Sequence, residues 1–210
     1  MNNKELREKY RSMAKWYDWA EGIPEVLGLN LLRKKLMKRA FGRVLEVAAG
    51  TGRNFKYYPA KCRLTAVDMS GAMLGFAQKK AKDLKCSITF CLMDAEKLGF
   101  PDQSFDTVVS SLSTCTFSNP VGALKEMGRV CRTDGRILLL EHGRSSWEKI
   151  GRWQDKGAPK HAEMLGCHWN REPLDLVREA HLVPFTFHRT FFGMVQVIEA
   201  MREPVMSEKS

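Results

Sequence analysis

Scarcity settles the first questions about this 210-residue chain. Its longest uncharged apolar stretches, such as residues 137–140, fall far short of the ~20 residues that a membrane-spanning helix needs. Its six cysteines, Cys62, Cys86, Cys91, Cys115, Cys131 and Cys167, include no C-x-x-C pair, which removes local support for a metal finger or a thioredoxin-like motif. Several lie inside apolar runs, where a free cysteine serves as a small core residue. His161 and His168 stand seven apart with no third ligand, so no metal is expected. There is no internal repeat and no low-complexity tract. With 44% hydrophobic and 28% charged residues, the composition is that of a globular chain rather than a disordered one. The opening residues, Met1 to Lys9, hold acids and no apolar core, so they do not read as a secretory leader. A reduced, cytoplasmic setting is the expectation.

Acidic residues are also in deficit. Asp and Glu number 24 against 34 Lys and Arg, a formal net charge of +10. Such a surface attracts anions without choosing among nucleic acid, anionic lipid and acidic substrate. Nothing else marks a nucleic-acid binder, and no nucleic-acid partner is expected. The excess concentrates near the start, in a cluster formed by Arg33, Lys34, Lys35, Lys38 and Arg39. On a helix face that cluster is suited to peripheral contact with an anionic membrane.

What is present begins with a length that suits one domain over residues 1–210. Residues 4–20 carry Leu6, Tyr10, Met13, Ala14, Trp16 and Tyr17 at helical spacing, and residues 25–40 set Leu29, Leu32, Leu36 and Met37 against the basic cluster. Residues 1–40 are expected to form a helical lid on a Rossmann-like core over residues 41–204. From Arg43 onward, short apolar runs (43–48, 64–67, 88–92, 105–109, 137–140) alternate with helix-like segments near 70–84, 119–132 and 147–165. That alternation predicts a parallel sheet covered on both faces. Residues 184–198 read as two β-rich runs joined near 189–193, an antiparallel hairpin. The fold class is α/β, a doubly wound and mostly parallel sheet closed by a C-terminal hairpin.

In such a sheet ligands bind beyond the carboxyl ends of the strands, near the reversal of strand order. The loop after the first strand reads Glu46-Val47-Ala48-Ala49-Gly50-Thr51-Gly52-Arg53-Asn54, whose glycines permit a sharp turn and close backbone approach. Asp68 ends the next strand eighteen residues after Gly50, the place for a carboxylate that grips two ribose hydroxyls. Together these features predict a nucleoside cofactor. A dinucleotide fingerprint wants a small residue three after the second glycine, where this chain has Phe55, and Glu46 would oppose a pyrophosphate. A cationic nucleoside suits the acidic loop better.

The run from Val44 to Gly52 resembles motif I of the class I S-adenosylmethionine (SAM)-dependent methyltransferases, with Ala48 where that family usually has glycine. The resemblance continues through residues 66–70, Met93-Asp94-Ala95-Glu96, 100–106, 124–131 and Leu140-Glu141-His142, and covers roughly residues 10–200. Within the family the chain looks most like the quinone-biosynthesis-type branch. Residues 158–171 also look like small methyltransferases of thiols or lipid-like substrates. The resemblance implies a seven-stranded fold and SAM as cofactor, released as S-adenosylhomocysteine. It places Glu46, Ala48 and Gly50 at the methionine end of SAM, Asp68 on the ribose, and Met69, Asp94 and Ala95 at the adenine. Ser111 would lie under the methyl donor. Asn54 and, from the lid, Tyr10 complete the implied cofactor set.

The acceptor side carries fewer signals. Methyl transfer from a sulfonium is an in-line displacement, so positioning supplies much of the rate and only some acceptors need a base. His142 and Tyr17 are the candidate catalytic groups, with Leu112, Thr114, Cys115 and Trp169 as further wall residues. After the fourth strand the chain reads Ser110-Ser111-Leu112-Ser113 where base and glutamine methyltransferases carry Asn/Asp-Pro-Pro-Tyr. A small apolar or amphipathic acceptor is therefore expected: a quinol, a thiol or a lipid headgroup. The rival readings are an RNA or protein methyltransferase and a SAM-binding protein without catalysis.

Overall fold

The computed structural model describes residues 28–203. Tyr10, Tyr17 and most of the expected lid lie outside them. The described chain runs α1 (Asn30–Met37), β1 (Arg43–Val47), a 3-10 turn (Phe55–Tyr57), β2 (Arg63–Asp68), α2 (Gly71–Asp83), β3 (Ile88–Leu92), β4 (Phe105–Ser111), α3 (Pro120–Val130), β5 (Cys131–His142), α4 (Glu148–Leu165), α5 (Pro173–Glu179), β6 (Leu182–Thr190) and β7 (Val195–Arg202). One seven-stranded sheet orders these strands β3-β2-β1-β4-β5-β7-β6. The first five strands pair in parallel, and β7 runs antiparallel to both β5 and β6.

The apolar runs lack polar alternation because both faces of the sheet are covered. Val44, Leu64, Ala66, Val109, Leu138 and Leu140 meet Leu36 and Met37 of α1 and Ala77 and Ala81 of α2 in one core. Their neighbours Leu45, Val67, Val108, Ile137 and Leu139 meet Leu124 and Met127 of α3 and Leu174 and Val177 of α5 in the other. Helix starts follow local chemistry. Ser70 caps α2 by accepting from the Met73 N–H (3.4 Å), and Asn119 caps α3 by accepting from the Gly122 N–H (2.9 Å), with Pro120 in the first turn.

Two expectations change. The short helix α5 is opened by Pro173 and spans only seven residues, too few for a helical period to show in sequence. The basic cluster is not one solvated face. Arg33 shares the buried face of α1 with Leu29, Leu36, Met37 and Ala40 and is 3% exposed, while Lys34, Lys35 and Lys38 point outward. Arg39 pairs with the buried Glu199 at 2.6 Å.

Strand order reverses between β1 and β4: from β1 the chain builds outward through β2 and β3, then returns to the other side of β1 for β4. The carboxyl ends of these strands thus diverge into a crevice.

Candidate active site

A cleft of about 940 Å3, counted out to its mouth, opens at that crevice. Four loops build it: Glu46 to Asn54 after β1, Asp68 to Met73 after β2, Met93 to Glu96 after β3 and Ser111 to Phe117 after β4. Glu46, Ala48, Gly50, Asn54, Asp68, Met69, Asp94, Ala95 and Ser111 all line this one cleft, although they come from four separate segments.

The first loop turns through three left-handed residues, Ala48 (φ 52°), Gly50 (φ 56°) and Gly52 (φ 77°). A Cβ at Gly52 would collide with the Phe55 ring, whereas nothing lies within 4 Å of a Cβ placed on Gly50. Gly50 therefore leaves open space at the ligand side of the turn. Ala48 holds its methyl group in the region glycine prefers, which costs about 1 kcal/mol.

Asp68 joins this turn to the next. Its Oδ2 accepts from the Gly50 N–H at 2.9 Å and its Oδ1 from the Ser70 N–H at 2.8 Å. Each oxygen keeps a lone pair for an incoming hydroxyl. Burial pushes its pKa up against those two backbone bonds. Asp94 is held by the Glu96 N–H at 2.9 Å.

Glu46 is 2% exposed and accepts from Asn54 Nδ2 (2.8 Å) and the Tyr58 hydroxyl (2.9 Å). Burial raises its pKa from 4.5 to about 7, against the lowering effects of Tyr58, Asn54 and Arg33. Arg33 Nη1 donates to Asn54 Oδ1 at 2.7 Å and to Ser111 Oγ at 2.5 Å. Sequence reasoning missed this arginine as a wall residue, yet its spacing from Leu29, Leu36 and Met37 carried the signal.

The loop after β4 has its own buried acid. Glu141 accepts from Ser110 Oγ (2.8 Å), the Ser113 N–H (2.9 Å), the Thr114 N–H (3.1 Å) and Thr114 Oγ1 (2.9 Å). This saturated carboxylate fixes the segment that brings Ser111, Leu112, Thr116 and Phe117 to the cleft.

Among the described residues, the structure separates the expected catalytic His142 from the cleft. His142 ends β5, but its Nε2 meets Cys167 Sγ at 3.3 Å and it is not among the cleft-lining residues. Thr114 and Cys115 are buried beside it, and Trp169 stacks on His161 at 4.1 Å. Strand order explains this: β5 lies on the far side of β4 from β1, so its end falls one strand beyond the β1–β4 divide. Tyr10 and Tyr17 lie outside the described residues.

The residues fit a cationic nucleoside. Acidic groups at the ends of β1, β2 and β3 face the cleft, open space lies at Gly50, and a glutamate held half-protonated near neutral pH would be fully ionised by a positive ligand. These features define a nucleoside-cofactor site on a doubly wound sheet.

Comparison with known proteins makes the class specific. Residues 45–139 match the methyltransferase domain family. The mitochondrial methyltransferase OMS1 of Saccharomyces cerevisiae is 32% identical over 95% of this chain and 47% of its own length. A phosphatidylethanolamine N-methyltransferase of Cereibacter sphaeroides is 38% identical over 48% of this chain and 51% of its own. A ubiquinone/menaquinone biosynthesis C-methyltransferase of Bdellovibrio bacteriovorus is 35% identical over 66% and 62%. The chain thus spans about half to three-fifths of the length of these relatives. The fold is shared with a Thermotoga maritima SAM-dependent methyltransferase structure, with a TM-score of 0.68 at 22% identity over 94% of this chain and all of that one. Residues 45–139 thus carry a methyltransferase domain, for which SAM is the cofactor, on a fold shared with SAM-dependent methyltransferase structures.

Proposed function

We propose that this protein moves the methyl group of SAM to a small amphipathic acceptor, a lipid headgroup or a quinol, seated against the loop of residues 111–117. The observation that carries the reading is that loop. It offers small hydroxyls and the apolar Leu112 and Phe117 to the cleft, with none of the Asn-Pro-Pro-Tyr chemistry that seats a nucleobase or a glutamine amide. Relatives named for phosphatidylethanolamine and for quinone precursors support an acceptor with an apolar body.

SAM supplies a sulfonium methyl for in-line displacement. The chain's own residues position it: Asp68 and Asp94 at the nucleoside, Glu46 and Asn54 toward the cationic end, Ser111 near the transfer. The outward face of Lys34, Lys35 and Lys38 supports docking of a cytoplasmic protein on an anionic membrane, where such acceptors reside.

Calorimetric titration of SAM and S-adenosylhomocysteine into wild type and Asp68→Ala, followed by a methyl-transfer screen with phosphatidylethanolamine, quinols and thiols, tests the reading. Binding weakened at least ~100-fold in the variant, a loss of about 3 kcal/mol, with product from a lipid or quinol, supports it. Product from a thiol alone, or from RNA or protein, overturns the acceptor assignment. Binding without product from any acceptor would make this a cofactor-binding protein.

A further inference from the structure

Beside the cleft, three segments far apart in sequence bring together Cys115 from the loop after β4, His142 at the end of β5 and Cys167 from the loop between α4 and α5. Their ligating atoms all lie within 4.8 Å of one another, the one such gathering of three His, Cys, Asp or Glu side chains among the described residues. Cys115 is buried, and His142 and Cys167 are half-buried. We propose that Cys115, His142 and Cys167 bind a single zinc ion. This inference stands apart from the methyltransferase reading.

The geometry suits zinc. Tetrahedral Zn–S bonds of about 2.3 Å and Zn–N bonds of about 2.0–2.1 Å put ligand atoms about 3.5–3.8 Å apart. Cys167 Sγ and His142 Nε2 already stand at 3.3 Å, and all three ligand atoms lie within 4.8 Å of one another, within about 1 Å of that spacing.

The donor set selects the ion class. Two sulfurs and an imidazole are ligands for zinc and other borderline-soft cations, not for magnesium or calcium, which want oxygen. Three cysteine and histidine ligands leave a fourth position for water or an incoming thiol, and the cluster lacks the four cysteines of an iron–sulfur centre. Two thiolates balance the ion's charge, so the neighbouring Arg171 faces a neutral site.

The scaffold holds the ligands without help from the sulfurs. Glu141 fixes the Ser113 and Thr114 backbone just before Cys115. The His168 N–H donates to the Cys115 carbonyl at 2.9 Å, and Arg171 Nη1 reaches the Thr114 and Phe117 carbonyls at 2.5 and 2.9 Å. His161 Nδ1 contacts the Cys167 carbonyl at 2.7 Å. Both cysteine loops are therefore pinned to each other by backbone contacts, the preorganisation a metal site requires.

The test uses the full chain, reduced and stripped of metal under anaerobic conditions. Titration with Co2+ should give thiolate-to-cobalt charge-transfer absorption that saturates at about one ion per chain and is displaced by Zn2+. Cys115→Ser and Cys167→Ser should each lose at least about tenfold in affinity, while Cys86→Ser, an exposed cysteine elsewhere, should not. In wild type alone, added Zn2+ should slow alkylation of Cys167 but not of Cys86, which keeps the test independent of variant folding. Absence of the thiolate–cobalt band, equal binding by Cys167→Ser, or alkylation of Cys167 indifferent to zinc would each overturn the site.

Discussion

Two buried glutamates, one on each side of the strand-order reversal, show how this sheet divides its labour. Glu46 and Glu141 both lie near the carboxyl ends of central strands, at 2% and 0% exposure, and burial pushes both pKa values up. Glu141 receives four hydrogen bonds, two from backbone N–H groups, and is enclosed by the loop it organises. Glu46 receives two side-chain bonds and faces the cleft. A carboxylate saturated by its own chain is scaffold. One left short of partners at a cleft wall is held ready for a ligand's positive charge.

Substituting each in turn separates these roles. Glu141→Gln should lower stability the most, by about 3 kcal/mol, because an amide cannot accept from two backbone N–H groups and Ser110 at once; urea unfolding reads this as a lower midpoint. Equal loss in Glu46→Gln would erase the distinction. Instead Glu46→Gln should weaken SAM binding about tenfold or more at pH 8, worth about 1.4 kcal/mol, and leave stability unchanged or raised.

The pH dependence of Glu46 follows from its displacement from 4.5 to about 7. Between those values the folded chain holds a proton that the unfolded chain has released. This group's contribution to stability is therefore greatest at acid pH and declines as pH rises through 7, by about 3 kcal/mol in all. The stability gain of Glu46→Gln over wild type should accordingly grow from pH 5 to pH 8. A cationic cofactor works the other way. Its affinity should fall as pH drops below 7 in wild type, with proton release on binding measured by calorimetry in buffers of different ionisation heat, and should be flat in Glu46→Gln.

The smallest effect falls on the turn beside Glu46. Ala48→Gly removes a methyl group from a left-handed backbone (φ 52°) and should stabilise the fold by about 1 kcal/mol, seen as a raised urea midpoint. A destabilised variant would mean that the backbone freedom glycine restores to the unfolded chain outweighs the relieved strain.

Sequence carried far on the cofactor side and little on the other, for a physical reason. Asp68 and Gly50 were legible because a strand, a turn and a second strand put them at a fixed separation, and the structure joins them by one hydrogen bond of 2.9 Å. The runs 43–48, 105–109 and 137–140 were legible as buried strands because unalternated apolar runs need two covered faces. Arg33 was read as surface because charge was weighed above helical position. That His142, Cys115 and Cys167 meet gave no signal, since it depends on where three loops end rather than on any spacing along the chain.

Arg33 has one more consequence. Among the described residues it donates to Asn54, in the loop after β1, and to Ser111, at the end of β4, on opposite sides of the β1–β4 divide, and the guanidinium that reaches both comes from α1, which lies outside the sheet. Mechanically it is a tie-bar across an opening. The gap between two loops is gauged by a flat, rigid group anchored in neither, so the width of the mouth is set by the seating of a helix rather than by the strands beneath it.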